Sequence, residues 1–339
     1  MALTVLWVAL VAGCPKPQST EAPAVTPSTT PSTPSGGQLT GQVQIDGSST
    51  VYPIQEAIAE EFGKVEPGVK VTVGCSGTGG GFKRFCVGET DISDASRAIK
   101  DEEIEKCAEN TVEYIELPIA FDGISIVVNP KNTWCESLTV AELKKIWEPE
   151  STVKSWKDVR PSFPDKPIVL YGPGTDSGTF EYFTEEIVGK KKESRSDYTA
   201  SEDDNMLVQG IAGGEGALGY FGFSYWEENQ DKLKLVSVDA GTGPMTPSPE
   251  TIRDGSYEPL SRPLFVYVAK ASTERPEVDA YVKFVLDNAG KLSAEVGAVA
   301  LPDAVYAAAR QRYDQKTTGS AITGQDVKGK TLEQIYGAQ

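Results

Sequence analysis

Three short segments carry the residues with the clearest chemistry. Gly47-Ser48-Ser49-Thr50 precedes a helical pattern that opens at Pro53. Ser76-Gly77-Thr78-Gly79-Gly80-Gly81-Phe82 follows a strand-like run at 69–73, and Gly172-Pro173-Gly174-Thr175-Asp176-Ser177-Gly178-Thr179 follows another at 168–171. Each places glycines and hydroxyls where a strand meets a helix. A helix start has unpaired N–H groups and a partial positive charge, and Ser or Thr beside it adds short donors. Glycine lets the backbone approach a ligand without a Cβ in the way. Singly, each segment reads as an ordinary cap or loop. Together in one chain they point to a small tetrahedral oxyanion held by mostly neutral donors. The glycine run has neither the Lys of a Walker A loop nor the spacing of a dinucleotide fingerprint.

A permanent positive charge near such a site must come from Arg or Lys. Arg97, closing Asp91-Ile92-Ser93-Asp94-Ala95-Ser96-Arg97, stands where a strand end delivers it to a cleft. Its planar fork suits an oxyanion, and the competing reading is an ion pair with Asp94 or Glu102. Arg195, in Ser194-Arg195-Ser196-Asp197-Tyr198, is the second candidate.

Composition narrows the alternatives. The 339 residues hold 49 Asp and Glu against 32 Lys and Arg, a net charge of −17, and no histidine. An acidic chain without a basic block is a poor nucleic-acid binder. Without histidine there is no Ser-His-Asp triad, no Cys-His dyad and no His-ligated zinc. A secreted phosphohydrolase using Ser177 or Thr78 as nucleophile would lack the commonest general base, and Asp203-Asp204-Asn205 is its sole metal candidate. The reading is therefore a binding protein, not an enzyme, with no metal and no cofactor.

The elements around these segments alternate. Strand-like runs at 42–45, 69–73, 112–117, 124–128, 168–171 and 264–268 are interspersed with helical patterns at 53–62, 100–108, 139–147, 179–188 and 276–286. Thr139-Val140-Ala141-Glu142 is a capping box. The pattern predicts an α/β fold of two sheets covered by helices, in roughly two domains at about 100–200 residues each. No internal repeat or coiled coil appears, and the stretch after Ala309 suggests no function.

The amino end predicts export. Residues 1–13 are apolar, too few for a membrane-spanning helix, and end in Val11-Ala12-Gly13-Cys14 without the usual opening Lys or Arg. A small pair before Cys resembles the bacterial lipobox, so Cys14 is the expected lipidation site. Residues 15–38 hold six Pro, four Ser and five Thr, the composition of an extended tether. Beyond Cys14, Cys75, Cys86, Cys107 and Cys135 make an even number for an oxidising compartment. Three pairings are open. Cys86–Cys107 is favoured because an extended segment between two short helices can bring them back together. Cys75–Cys135 is the remainder, and buried free thiols are the alternative.

The blocks IDGSSTVYPI, GCSGTGGGFKRF, DISDASRAI, LYGPGTDSGTFEYFTE and DDNMLVQGIAGGEGALGYFGFSYW, in that order, resemble the periplasmic-type phosphate-binding receptors of high-affinity phosphate ABC importers. The resemblance implies a two-lobed periplasmic-binding-protein fold of class II with the ligand cleft between the lobes. It implies a lobe of residues 39–122 plus 263–339 and a lobe of residues 123–262, with chain crossings near 118–125 and 260–266. Carried over by motif, Ser49, Thr50, Thr78, Ser96, Arg97, Ser177, Gly178 and Thr179 contact phosphate. The partners implied are inorganic phosphate and a membrane-embedded permease, for an extracytoplasmic monomer anchored to the membrane by lipid.

Two positions depart from the best-known members: Arg97 stands where they use a phosphate-accepting Asp, and Pro173 where they use an Arg. A carboxylate acceptor welcomes the proton of monohydrogen phosphate and repels sulfate, so another acceptor is required. Asp46 and Asp176 are the candidates. A receptor for sulfate, molybdate or arsenate is the alternative function.

Overall fold

The structure is a computed structural model that describes residues 39–175, 177–201, 203–323 and 330–337. Cys14, the 15–38 segment and Asp176 lie outside the described residues. Eleven strands follow in chain order: β1 Gly41–Gly47, β2 Val69–Val73, β3 Ile92–Ala95, β4 Tyr114–Val128, β5 Ser137–Thr139, β6 Val169–Pro173, β7 Thr199–Ser201, β8 Ala217–Gly222, β9 Lys234–Asp239, β10 Pro244–Met245 and β11 Ser261–Ala269. They join in the order β2-β1-β3-β11-β4-β8-β6-β7, with β9 pairing β4, β5 and β10. The fold is α/β.

The two expected sheets are joined through β4. Its first part pairs antiparallel with β11 as far as Gly123, and from Ile124 it pairs with β8, also antiparallel. All fifteen of its residues are buried. The sequence suggested separate strands at 112–117 and 124–128, but one strand runs through Pro118. Proline lacks a ladder N–H. The register of β11 shifts between Leu264 and Phe265, opposite Pro118, and this irregularity absorbs the missing bond so that the strand runs on.

Separate apolar clusters cover the two ends of β4. Helix Tyr52–Val65 lays Ile54, Ile58 and Phe62 on the first sheet. Phe62 meets Tyr281 of helix Pro276–Glu295 edge-on, with ring centroids 5.2 Å apart. On the second sheet Trp147, Phe183 and Tyr220 form the aromatic centre. The Thr139 capping box is present: Glu142 N donates to Thr139 Oγ1 at 3.1 Å, and Thr139 N donates back to Glu142 Oε2 at 2.9 Å.

Cys86 and Cys107 form a disulfide that ties the end of helix Thr78–Phe85 to helix Asp101–Glu109. Cys75 and Cys135 do not pair. Cys75 is an exposed free thiol and Cys135 a buried one. The carboxyl-terminal segment is anchored by Glu116 on β4. Its buried carboxylate accepts from Ser320 Oγ, Ala321 N and Tyr336 OH, and from Tyr267 OH on β11.

Candidate functional site

The first Gly-Ser-Ser-Thr segment leaves the carboxyl end of β1 and enters helix Tyr52–Val65. Gly47 has φ +152°, and a Cβ there would stand 2.1 Å from the Asp94 carbonyl oxygen, so only glycine fits between β1 and β3. Ser48 N donates to that carbonyl at 2.9 Å, and Ser48 Oγ accepts from Thr50 N at 3.2 Å. Ser48 is buried, so its hydroxyl shapes the turn while Ser49 and Thr50 face the cavity.

The second segment turns at Gly77, φ +77°, into helix Thr78–Phe85. Thr78 Oγ1 lies 3.1 Å from Ser96 Oγ and accepts from Ser96 N at 3.2 Å, which joins this helix start to the end of β3. In the third segment Ser177 caps helix Gly178–Phe183, accepting from Thr179 N at 3.1 Å and Phe180 N at 3.4 Å.

These segments converge in space. A Cβ on Gly178 would stand 2.7 Å from both the amide nitrogen and the hydroxyl of Thr50, so the helix start abuts the first loop. Ser49, Thr50, Ser177, Gly178 and Thr179 line a cavity of about 740 Å³, together with Asp122 and Tyr225. Thr78, Ser96 and Arg97 line a neighbouring cavity of about 620 Å³ with Tyr182 and Arg262. A third opening, about 580 Å³, is edged by the glycine loop, Lys83, Lys191 and Lys192. Glu181 lines the same opening and pairs with Lys191 at 2.5 Å and Lys192 at 3.3 Å, so these two lysines stand there as ion pairs.

The charged candidates divide by what they touch. Arg97 gives both guanidinium nitrogens to Glu103 at 2.8 Å and lies over the Phe82 ring, its centroid 5.7 Å away. Its ion-pair partner is thus Glu103, not Asp94 or Glu102. Burial works against the Arg97 charge, and Glu103 outweighs it. Arg195 is a structural tie rather than an anion ligand. It is buried, with Nη1 donating to the carbonyls of Ile146 and Val153 and its other nitrogens on Asp197. Asp46 spends its oxygens on Ser76 N at 3.0 Å and Arg84 Nη1 at 2.6 Å, fastening the second loop from behind. Asp203 caps helix Asp204–Gly213 through Asn205 N, which accounts for the Asp-Asp-Asn run. Among the described residues no group of three or more His, Cys, Asp and Glu could hold a metal ion.

Two site residues went unremarked in the sequence. Arg262 on β11 and Asp122 on β4 are register partners, and Arg262 Nε donates to Asp122 Oδ2 at 3.3 Å. Arg262 Nη2 donates to Thr50 Oγ1 at 2.9 Å, and its guanidinium lies 3.5 Å from the Tyr182 ring centroid. Burial pushes the Asp122 carboxyl upward, and the adjacent Arg262 opposes that shift. They fall inside the two expected chain crossings, but only the β4–β11 register brings them together.

Residues 28–289 match the model of the PBP superfamily domain. The chain is 50% identical to Protein SphX of Synechococcus elongatus over 300 residues, 88% of each chain. It is 42% identical to the phosphate-binding protein PstS of Staphylococcus saprophyticus over 296 residues, covering 86% of this chain and 88% of that one. Among solved structures, a possible phosphate binding protein of Planctomyces limnophilus superposes with a TM-score of 0.79 at 48% identity, over 82% of this chain and 99% of the other. The chain belongs to the PBP superfamily, in the PstS and SphX family of phosphate-binding ABC transporter substrate-binding proteins, whose members are receptors and not enzymes.

Proposed function

We propose that this chain captures inorganic phosphate outside the cytoplasm and hands it to the membrane-embedded permease of an ABC importer. In this reading residues 39–122 with 263–339 form one lobe, residues 123–262 the other, and phosphate sits between them. Ser49, Thr50, Thr78, Ser96, Ser177, Gly178 and Thr179 supply neutral donors, and Arg97 stands at the edge of the same cleft. The observation that carries the reading is the contact of Thr50 with the helix start at Gly178, which gathers the hydroxyls of Ser49, Thr50, Ser177 and Thr179 at one cavity. Four or five such bonds at about 1.5–3 kcal/mol each, less the cost of association, support binding at about micromolar or tighter. The protein works as a monomer.

Lipidation at Cys14 and the 15–38 tether hold the receptor at the outer membrane face, free to meet the permease. No helix among the described residues is long and apolar enough to cross a membrane. Titration calorimetry with phosphate and then sulfate tests the function. One phosphate per chain is expected, with sulfate at least about tenfold weaker. Comparable sulfate affinity would make this a general oxyanion receptor.

A further inference from the structure

The sequence assigned no role to the stretch after Ala309. We propose that residues 316–323, fastened to Glu116, act as a strap that holds the Ser96–Arg97 limb of the site in place, with Glu116, Tyr267 and Thr323 as positioning residues. This rests on the phosphate reading above and deepens it: the strap sets where two site residues stand without touching the ligand.

Ser96 follows β3, and the chain leaves the sheet through Arg97, Ala98 and Ile99 before helix Asp101–Glu109. Both backbone groups of Ile99 are taken by distant side chains. Its N–H donates to Tyr267 OH at 2.9 Å, and its carbonyl accepts from Thr323 Oγ1 at 2.6 Å. Ile99 is buried, and Ile322, beside Thr323, lines the cavity of about 620 Å³ together with Ser96 and Arg97. The Tyr267 ring meets Phe82 edge-on with centroids 4.9 Å apart, and Arg97 lies over that same Phe82.

Glu116 couples the two holds on Ile99. It is fully buried, and its oxygens accept from Tyr267 OH at 2.8 Å, Ser320 Oγ at 2.6 Å, Ala321 N at 2.8 Å and Tyr336 OH at 2.7 Å. These donors fill the about four lone-pair sites of a carboxylate. Burial, and then the adjacent Glu116, push the Tyr267 and Tyr336 hydroxyls well above their ordinary range, which keeps both as donors. Tyr267 spends its one hydroxyl proton on Glu116, so its oxygen is free to accept from Ile99. Ser320 Oγ in turn accepts from Thr323 N at 2.9 Å and carries the hold from Glu116 to Thr323. A buried polar network whose members are satisfied rigidifies what it joins. Closing the chain end alone would not need the branch through Tyr267 to Ile99.

The test compares Tyr267→Phe, Thr323→Val and Tyr336→Phe, each of which removes one hydroxyl, by phosphate calorimetry, thermal melts and hydrogen exchange of the Ile99 amide. Y267F and T323V cut the links to Ile99 and are expected to weaken phosphate binding about three- to tenfold. Y336F removes a bond to the same carboxylate but none to Ile99. It is expected to melt lower than the wild type and to keep its affinity within about twofold. Exchange at Ile99 should quicken at least about tenfold in Y267F and not in Y336F. Glu116→Gln, which sets an amide NH2 against these donors, should weaken binding at least as much as Y267F.

Folded Y267F and T323V proteins that bind phosphate as the wild type does overturn the proposal. So does a Y336F protein that loses as much affinity as Y267F, because a general loosening then explains both. Wild-type affinity in a folded E116Q protein overturns the part assigned to Glu116, and unchanged Ile99 exchange in Y267F overturns the hold itself. A wild type that binds no phosphate overturns the phosphate reading, and the exchange rates still decide whether the strap holds the limb.

Discussion

Gly178 and Thr50 touch at the edge of one cavity, with no room between them for a methyl group. The Cβ that Ala would add at 178 falls 2.7 Å from the Thr50 nitrogen and hydroxyl. Thr50 follows β1 and Gly178 opens the helix after β6, so this one contact joins the two sheets at the cavity.

Gly178→Ala should therefore weaken phosphate binding by about 1–3 kcal/mol, because the backbone must shift to relieve the overlap. Calorimetry measures it. Wild-type affinity in the variant would mean that the contact is not part of the bound state.

The Cys86–Cys107 bridge closes a loop with a sequence separation of 21. In the chain-entropy model a loop of that size is worth about 3 kcal/mol. Urea unfolding of Cys86→Ser/Cys107→Ser should show a loss of about 2–4 kcal/mol. Phosphate affinity should change less than stability, since neither Cys86 nor Cys107 lines the cavities.

Asp94 gives a pH signature. Its side chain is fully buried, Oδ1 accepts from Gln55 Nε2 at 2.9 Å, and Oδ2 has no partner. Burial pushes its carboxyl well above the ordinary range, with Asp46 nearby adding to the shift. A raised folded pKa gives stability that is complete below the unfolded value, about 3.9, and that drains away as pH rises toward the folded one. Asp94→Asn removes the charge and keeps an acceptor for Gln55. It should stabilise the protein at pH 7 by about 1 kcal/mol or more, with the gain vanishing below about pH 4. Melts across pH check this, and a variant less stable at pH 7 would contradict it.

Arg195 should act on stability and not on binding. Removing the buried Arg195 strands the Ile146 and Val153 carbonyls it caps, so Arg195→Met should cost about 3–5 kcal/mol of stability. Phosphate affinity of the folded fraction should not move. Denaturant titration beside calorimetry distinguishes the effects.

Much of the site was legible where chemistry is local. Gly47, Ser177 and Gly178 announce themselves because a strand-to-helix turn needs glycine or a capping hydroxyl within a few residues. The Cys86 and Cys107 pair was legible for a similar reason, as two short helices flank the return path. Asp122 and Arg262 were not. They lie 140 residues apart and meet only through the β4–β11 register, which no local pattern encodes. Arg97 shows the same limit: its strand-end position is real, but the ion-pair partner read from the sequence was Asp94 or Glu102, and it is Glu103, six residues on, that holds the fork. The continuity of β4 was not read from the sequence; Pro118 lies inside the strand, and its missing N–H is accommodated by an irregularity in the partner strand.

The most direct measurement is a crystal structure of the protein grown with phosphate. The account predicts a single tetrahedral anion within hydrogen-bond reach of the Thr50, Ser177 and Thr179 hydroxyls, with Arg262 at its side. An anion bound elsewhere on the surface, or a cleft that stays empty at saturating phosphate, would contradict it.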